Sequence, residues 1–214
     1  MQRRFKKGLI GLVLATLSLS IACGGRQQQV LVEASETIGV GPMQILDASE
    51  AGFFSEQRVE IQWGRETQRF HAVLQRRDAL LELVLLDPMQ RPGFRLYQER
   101  EQVGAEAFTS RELPFEPHYM IADVQKAFLP WGDAVACVLD EKREGDYETL
   151  HWEEQCRDGQ LVERRFWRRD TENTAALTIE YRYAPESGQL QSLRLVNPWF
   201  HYALQIDILS WQVL

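Results

Sequence analysis

The chain has 214 residues, 44% of them apolar, with 31 acidic against 24 basic side chains and a formal charge of −7 at pH 7. That length suits a short leader and one domain of ordinary size, and six Trp with this apolar content allow a real core. The acidic balance argues against nucleic acid, and against holding anionic headgroups through bulk charge.

The chain begins with Arg3, Arg4, Lys6 and Lys7, then an apolar run from Gly8 to Ala22 that closes as Leu19-Ser20-Ile21-Ala22-Cys23. A basic start, an apolar middle and small residues at the end are the layout of a secretory signal. The run is short for a membrane span, which needs ~20 apolar residues. With Cys23 at its end it looks like the lipobox of a bacterial lipoprotein precursor, Leu19 standing one position further out than usual. The motif implies loss of residues 1–22 and a diacylglycerol on the Cys23 thiol. Each buried methylene then contributes ~0.8 kcal/mol, and durable anchoring takes two or more chains. Gly24, not Asp, follows the cysteine, which points to the outer membrane. Loss of the four basic residues takes the formal charge from −7 to −11.

Residues 23–44 read as a lipidated flexible tether, rich in Gly and Gln, with an apolar patch at Val30 to Val32 able to dock on the domain. Residues 45–214 read as one domain. Val59, Ile61 and Trp63 alternate with polar residues, as do Phe70, Ala72 and Leu74, so both segments read as strands. Residues 79–86 are apolar on both faces and suit a central, covered strand. The following loop, 85–93, carries Met89 near its tip, and Phe94 and Leu96 begin another strand. Met89 either folds back on the core or stands out, with Leu86, as an apolar contact for a membrane or partner.

Pro117 to Phe128 breaks the alternation, with Met120, Ile121, Val124, Ala127 and Phe128 at helical spacing. Pro117 suits the first turn of a helix and Pro130 stops it. With one apolar face, this helix should pack on a sheet.

Further on, Asp158-Gly159 signals a two-residue hairpin. Counted outward, it sets Glu153 against Arg164 and Glu148 against Arg169, and leaves Glu154 facing Glu163. The run Arg164 to Arg169 therefore reads as a charge-paired strand, not a basic patch. Strands follow at Leu177 to Tyr183, at Leu193 and Leu195, and from Tyr202 to Ile208. The total is nine or ten antiparallel strands and one clear helix.

No catalytic residue stands out, and no metal or cofactor is expected. His71, His118, His151 and His201 sit in separate elements without metal-ligand spacing, and are expected at the surface or half-buried. No nucleophile elbow or phosphate loop occurs. In an oxidising compartment Cys137 and Cys156 can pair, closing a loop of ~20 residues that chain entropy values at roughly 3 kcal/mol. Two unpaired buried thiols are equally open. The strand aromatics mostly suit core packing. A curved sheet with one helix, however, leaves room for an apolar cavity, and Trp63, Phe70, Leu83, Phe128, Tyr181 and Tyr202 are its candidate lining.

Four features carry a resemblance. They are the lipobox, the strand–Pro88-Met89–strand loop, the segment Leu113-Pro114 with Ile121 to Trp131, and Asn197 to Tyr202 entering the last strand. Together they resemble bacterial outer-membrane lipoproteins of unknown function related in fold to LolA and LolB, the carrier and receptor of lipoprotein localisation. The resemblance implies mainly antiparallel β structure with one or more helices (α+β). In it a curved sheet forms an incomplete, LolB-like half barrel covered by helix. It makes Met89 the counterpart of an apolar loop residue that helps place lipoproteins in the membrane. It also implies a tie to polyene lipids.

The leading expectation is a monomeric lipoprotein anchored in the outer membrane and facing the periplasm. It would bind or transfer a hydrophobic ligand, either lipoprotein acyl chains or a lipid such as a polyene lipid, without chemistry on it. The alternatives are a structural or assembly lipoprotein with a protein partner and, third, a lipid- or glycan-tailoring enzyme.

Overall fold

The computed structural model describes residues 28–33, 42–48, 51–110, 113, 115–131, 137–169 and 175–214. Residues 1–27, with Cys23, lie outside them. The strands are β1 (Gln28–Glu33), β2 (Phe53–Trp63), β3 (Glu66–Arg77), β4 (Leu80–Leu86), β5 (Pro92–Glu99) and β6 (Gln102–Ala107). After the helix α1 (Pro117–Phe128) come β7 (Lys142–Tyr147), β8 (Leu150–Arg157), β9 (Gln160–Arg168), β10 (Leu177–Tyr183), β11 (Leu190–Asn197) and β12 (Tyr202–Val213). They form one 12-stranded sheet in the order β1-β6-β5-β4-β3-β2-β12-β11-β10-β9-β8-β7, every neighbour antiparallel. Its end strands β1 and β7 do not pair among the described residues, so the barrel is incomplete.

Twelve strands stand against the nine or ten read from the sequence, and β1, β6 and β7 are the ones to which no strand segment was assigned there. β6 carries one β-branched residue, Val103, among small and polar ones. β7 is Lys-Arg-Glu-Gly-Asp-Tyr, and such charge is how an edge strand resists further pairing. β1 lies within the stretch read as a tether and pairs with β6, setting Val30 opposite Ala105. β4 differs from its sequence reading. Leu81, Leu83 and Leu85 are buried, while Leu80, Val84 and Leu86 on the other face are only half-buried, because α1 covers the inner face alone.

α1 spans the helix expected from its periodicity, but it is buried nearly all round. Its polar residues His118, Asp123, Gln125 and Lys126 are as buried as its apolar stripe. Side chains from β5, β9, β10, β11 and β12 reach it, so the sheet curls about the helix. Such a helix must satisfy polar groups that water would otherwise meet. At its C-terminal end the Trp131 indole N–H donates to the Gln125 carbonyl (3.3 Å), and the Tyr181 hydroxyl to that of Ala127 (2.9 Å). Arg164 Nη1 donates to the carbonyls of Lys126 (2.5 Å) and Leu129 (2.9 Å). The buried Glu154 holds Arg164 through Nη2 at 2.6 Å and takes Arg143 Nη2 at 2.6 Å on its other oxygen.

That arrangement corrects the hairpin register. Asp158 and Gly159 both have positive φ, as a tight β-turn of this kind requires. A bulge then shifts the ladder by one residue between Gln155 and Cys156. Glu154 therefore faces Arg164 instead of Glu163, and Glu153 faces Arg165. His118 is a second correction: it is buried, at 1% exposure, where the helix packs on the sheet.

Residues 42–48 pack on the domain. Gln44 N–H donates to Gln125 Oε1 (2.8 Å), and Gln125 Nε2 returns a bond to the Gln44 carbonyl (3.0 Å). Leu46 is buried in the core.

Cys137 and Cys156 form a disulfide across 19 residues of sequence. Replacing both by Ser should lower unfolding free energy by about 3 kcal/mol, read from urea unfolding under non-reducing conditions. An equal midpoint for wild type and double variant would contradict the bond.

Candidate functional site

The antiparallel order puts the β2–β3, β4–β5 and β11–β12 turns at one end of the sheet, beside the N-terminal end of α1. A pocket of about 500 Å³ opens here. Five of its nine lining residues are aromatic: Trp63, Phe115, Tyr119, Phe200 and Tyr202; Ile61, Leu113, Glu116 and Met120 complete it. Tyr119 and Phe200 stack at 4.1 Å between centroids, and Trp63 Nε1 donates to Glu66 at 3.2 Å. Glu116 is the N-cap residue of α1 and makes no side-chain capping bond. Deeper in the sheet lies a cavity of about 20 Å³ between α1 and β2, β4, β11 and β12, apolar except for Gln57 and Asp123.

Of the candidate lining residues, Trp63 and Tyr202 line the outer pocket and Leu83 and Phe128 the inner cavity. Phe70 and Tyr181 line neither. Phe70 is half-buried against the core, and Tyr181 is turned to the helix end, where burial raises its hydroxyl pKa. Leu113, Phe115 and Phe200 lie in connecting segments, where strand and helix periodicity assigns no face. The apolar residues clustered just before Pro117 and after Pro198 were the available signal.

A buried polar cluster lies behind the pocket wall. Asp123 Oδ2 accepts from Asn197 Nδ2 (3.0 Å) and from the Tyr202 hydroxyl, while Oδ1 lies 3.7 Å from Lys126 Nζ. Lys126 is 1% exposed, also donates to the Ala122 carbonyl (3.4 Å), and lies 6.0 Å from the Trp199 ring. Burial raises the Asp123 pKa, with Lys126, Tyr202 and Asn197 pulling it back, and burial lowers that of Lys126 against the pull of Asp123. Tyr202 is pushed well above its ordinary range, first by burial and then by Asp123. The cluster thus ties α1 to β11 and β12 and fixes the Tyr202 ring at the pocket.

The β4–β5 loop presents Met89 at the same end, 72% exposed. Asp87 organises it, accepting from the N–H groups of Met89 (2.8 Å) and Arg91 (3.0 Å) and from the Arg91 guanidinium (2.7 Å). These bonds, those from Arg91 foremost, hold the Asp87 carboxyl below its ordinary range. Leu86, by contrast, is half-buried in the ladder and paired with His71. Phe108, 47% exposed, is bonded through its N–H to the Gly93 carbonyl (2.9 Å), adjoining this loop.

His151 lies 2.9 Å from Asp146 on the β7–β8 hairpin, and neither residue lines the pocket or the cavity. Among the described residues no helix is long and apolar enough to cross a membrane.

The sequence matches one family model over residues 55–210, and the chain belongs to that family, a protein family of unknown function (DUF3261). No curated protein matches it. Among solved structures it is similar to a LolA superfamily protein from Nitrosomonas europaea, at 7% identity and TM-score 0.43, covering 79% of this chain and 89% of that one. It is also similar to a DUF1329 family protein from Desulfovibrio piger, at 8% identity and TM-score 0.45, covering 77% and 86%. A domain assigned to outer membrane lipoprotein sorting from Vibrio parahaemolyticus aligns at 9% identity and TM-score 0.42, covering 78% and 87%.

Replacing Lys126 by Met should expose the cost of the buried Asp123 carboxylate. A carboxyl whose folded pKa lies above its unfolded value of 3.8 carries no penalty below that pH. Stability should then fall as pH rises through the folded pKa, by about 3–5 kcal/mol at neutral pH relative to wild type. Urea midpoints across the acidic-to-neutral range check this, and the double variant with Asp123→Asn should lose the pH slope.

Proposed function

We propose that this protein is an outer-membrane-anchored lipoprotein facing the periplasm, which binds a hydrophobic ligand and passes it to or from a bilayer. The ligand is the acyl chain of a lipoprotein or lipid. One observation carries the reading: an aromatic-lined pocket of about 500 Å³ opens at the same end of the sheet as the exposed Met89. Pockets of this size are lined by apolar and aromatic groups and bury most of a small ligand. Hydrophobic burial supplies the affinity, at ~25 cal/mol per Å² of apolar area, and the ligand needs no chemistry. The order that Asp87 imposes on the loop favours a preformed apolar tip over a disordered one. The lipobox supports the address, since Cys23 would hold the domain within reach of the membrane.

Chain-bearing lipid should co-purify with the protein and be detected by mass spectrometry after organic extraction; an interior free of lipid, with no binding of added acyl chains, would overturn the reading. Replacing Met89 by Asp in the unlipidated Cys23→Ser chain should weaken association with phosphatidylethanolamine–phosphatidylglycerol vesicles about tenfold, while leaving ligand affinity unchanged. Labelled palmitate should enter the wild-type chain in cells and not the Cys23→Ser variant.

A further inference from the structure

Two residues, Ile61 and Met120, line both the outer pocket and the inner cavity. They stand between a volume of about 500 Å³ open at the sheet end and one of about 20 Å³ inside the sheet. Both are buried, at 3% and 6% exposure. Their mechanical properties differ. Ile61 is β-branched, on a central strand paired on both sides, and its χ1 is stiff. Met120 is unbranched, with three rotatable bonds, and adapts to irregular space. Behind it Val124, Ala127 and Phe128 continue along the same side of α1 and line the inner cavity. The small Ala127 lies on that path. The inner cavity alone holds little more than a water molecule. Joined to the pocket, it extends the apolar volume along the helix axis.

From this geometry we infer that Met120 is the gate that sets how far a straight hydrocarbon chain enters the sheet, and so the specificity-determining residue for chain length. The inference rests on the chain-binding reading above and deepens it. The outer pocket receives the chain, and Met120 forms its floor. When the Met120 side chain swings aside, the chain end advances into the cavity towards Phe128. The head of the ligand stays at the mouth, where Glu116 is the charged lining residue. A neutral head is therefore the appropriate probe.

The test uses the purified full chain and monoacylglycerols whose saturated chain lengthens from decanoyl to eicosanoyl, with binding followed by quenching of Trp fluorescence. In wild type, affinity should rise with chain length and then level off. Met120→Ala should move that plateau to chains about two carbons longer, each added methylene tightening binding roughly fourfold. Met120→Leu, of similar volume but branched, guards against a folding defect in the Ala variant. It should keep wild-type affinity for the short chains and bind the longest ones about tenfold more weakly. Identical plateaus in wild type and both folded variants would overturn the gate while leaving the pocket reading intact. Absence of binding by the wild type at every chain length would instead remove the pocket reading itself.

Discussion

The fold depends on burying a helix inside a sheet. α1 has the apolar stripe of a surface helix, yet nearly all of it is removed from water. Carbonyls left open at a helix end cost free energy when buried without a donor. Arg164, Tyr181 and Trp131 supply those donors, and Glu154 with Arg143 holds Arg164 in place. A charge such as Glu154 survives burial only when paired and hydrogen-bonded. The bulge in the β8–β9 hairpin is the local adjustment that brings Glu154 opposite Arg164.

The two ends of α1 are consequently unlike. The C-terminal end is clamped by side chains from β9 and β10 and followed at once by the buried Trp131. The N-terminal end begins at Glu116 without a side-chain cap and lies beside open apolar volume. Between them, Asp123 and Lys126 tie the middle of the helix to Asn197 and Tyr202, so the pocket wall is anchored to the same element as the clamp. After residue 7 the chain contains two lysines, Lys126 and Lys142, and one of them is spent inside the domain.

The loop carrying Met89 follows a similar logic on a smaller scale. An exposed apolar side chain on a loose loop costs entropy to hold against any surface. Asp87 reduces that cost by collecting the loop's N–H groups and Arg91 around one carboxylate. Met89 is then presented by a formed turn at the end of the sheet where the pocket opens.

By itself the sequence determined the elements whose patterns are local. Period-two alternation placed β2, β3, β10 and β12, and Pro117, Pro130 and the apolar spacing between them bounded α1. Asp158-Gly159 placed its turn. The charged edge β7 and the small-residue strand β6 were not legible, because their strand state comes from pairing with neighbours and not from their own side chains. Nor was the register past the hairpin turn, because a bulge answers to a distant partner, here the carbonyls of α1. Whether Cys137 and Cys156 pair, which face of a polar helix is wet, and how loop aromatics such as Phe115 and Phe200 meet to line one pocket are long-range outcomes. They follow from the sheet curling about the helix, and only the tertiary structure decided them.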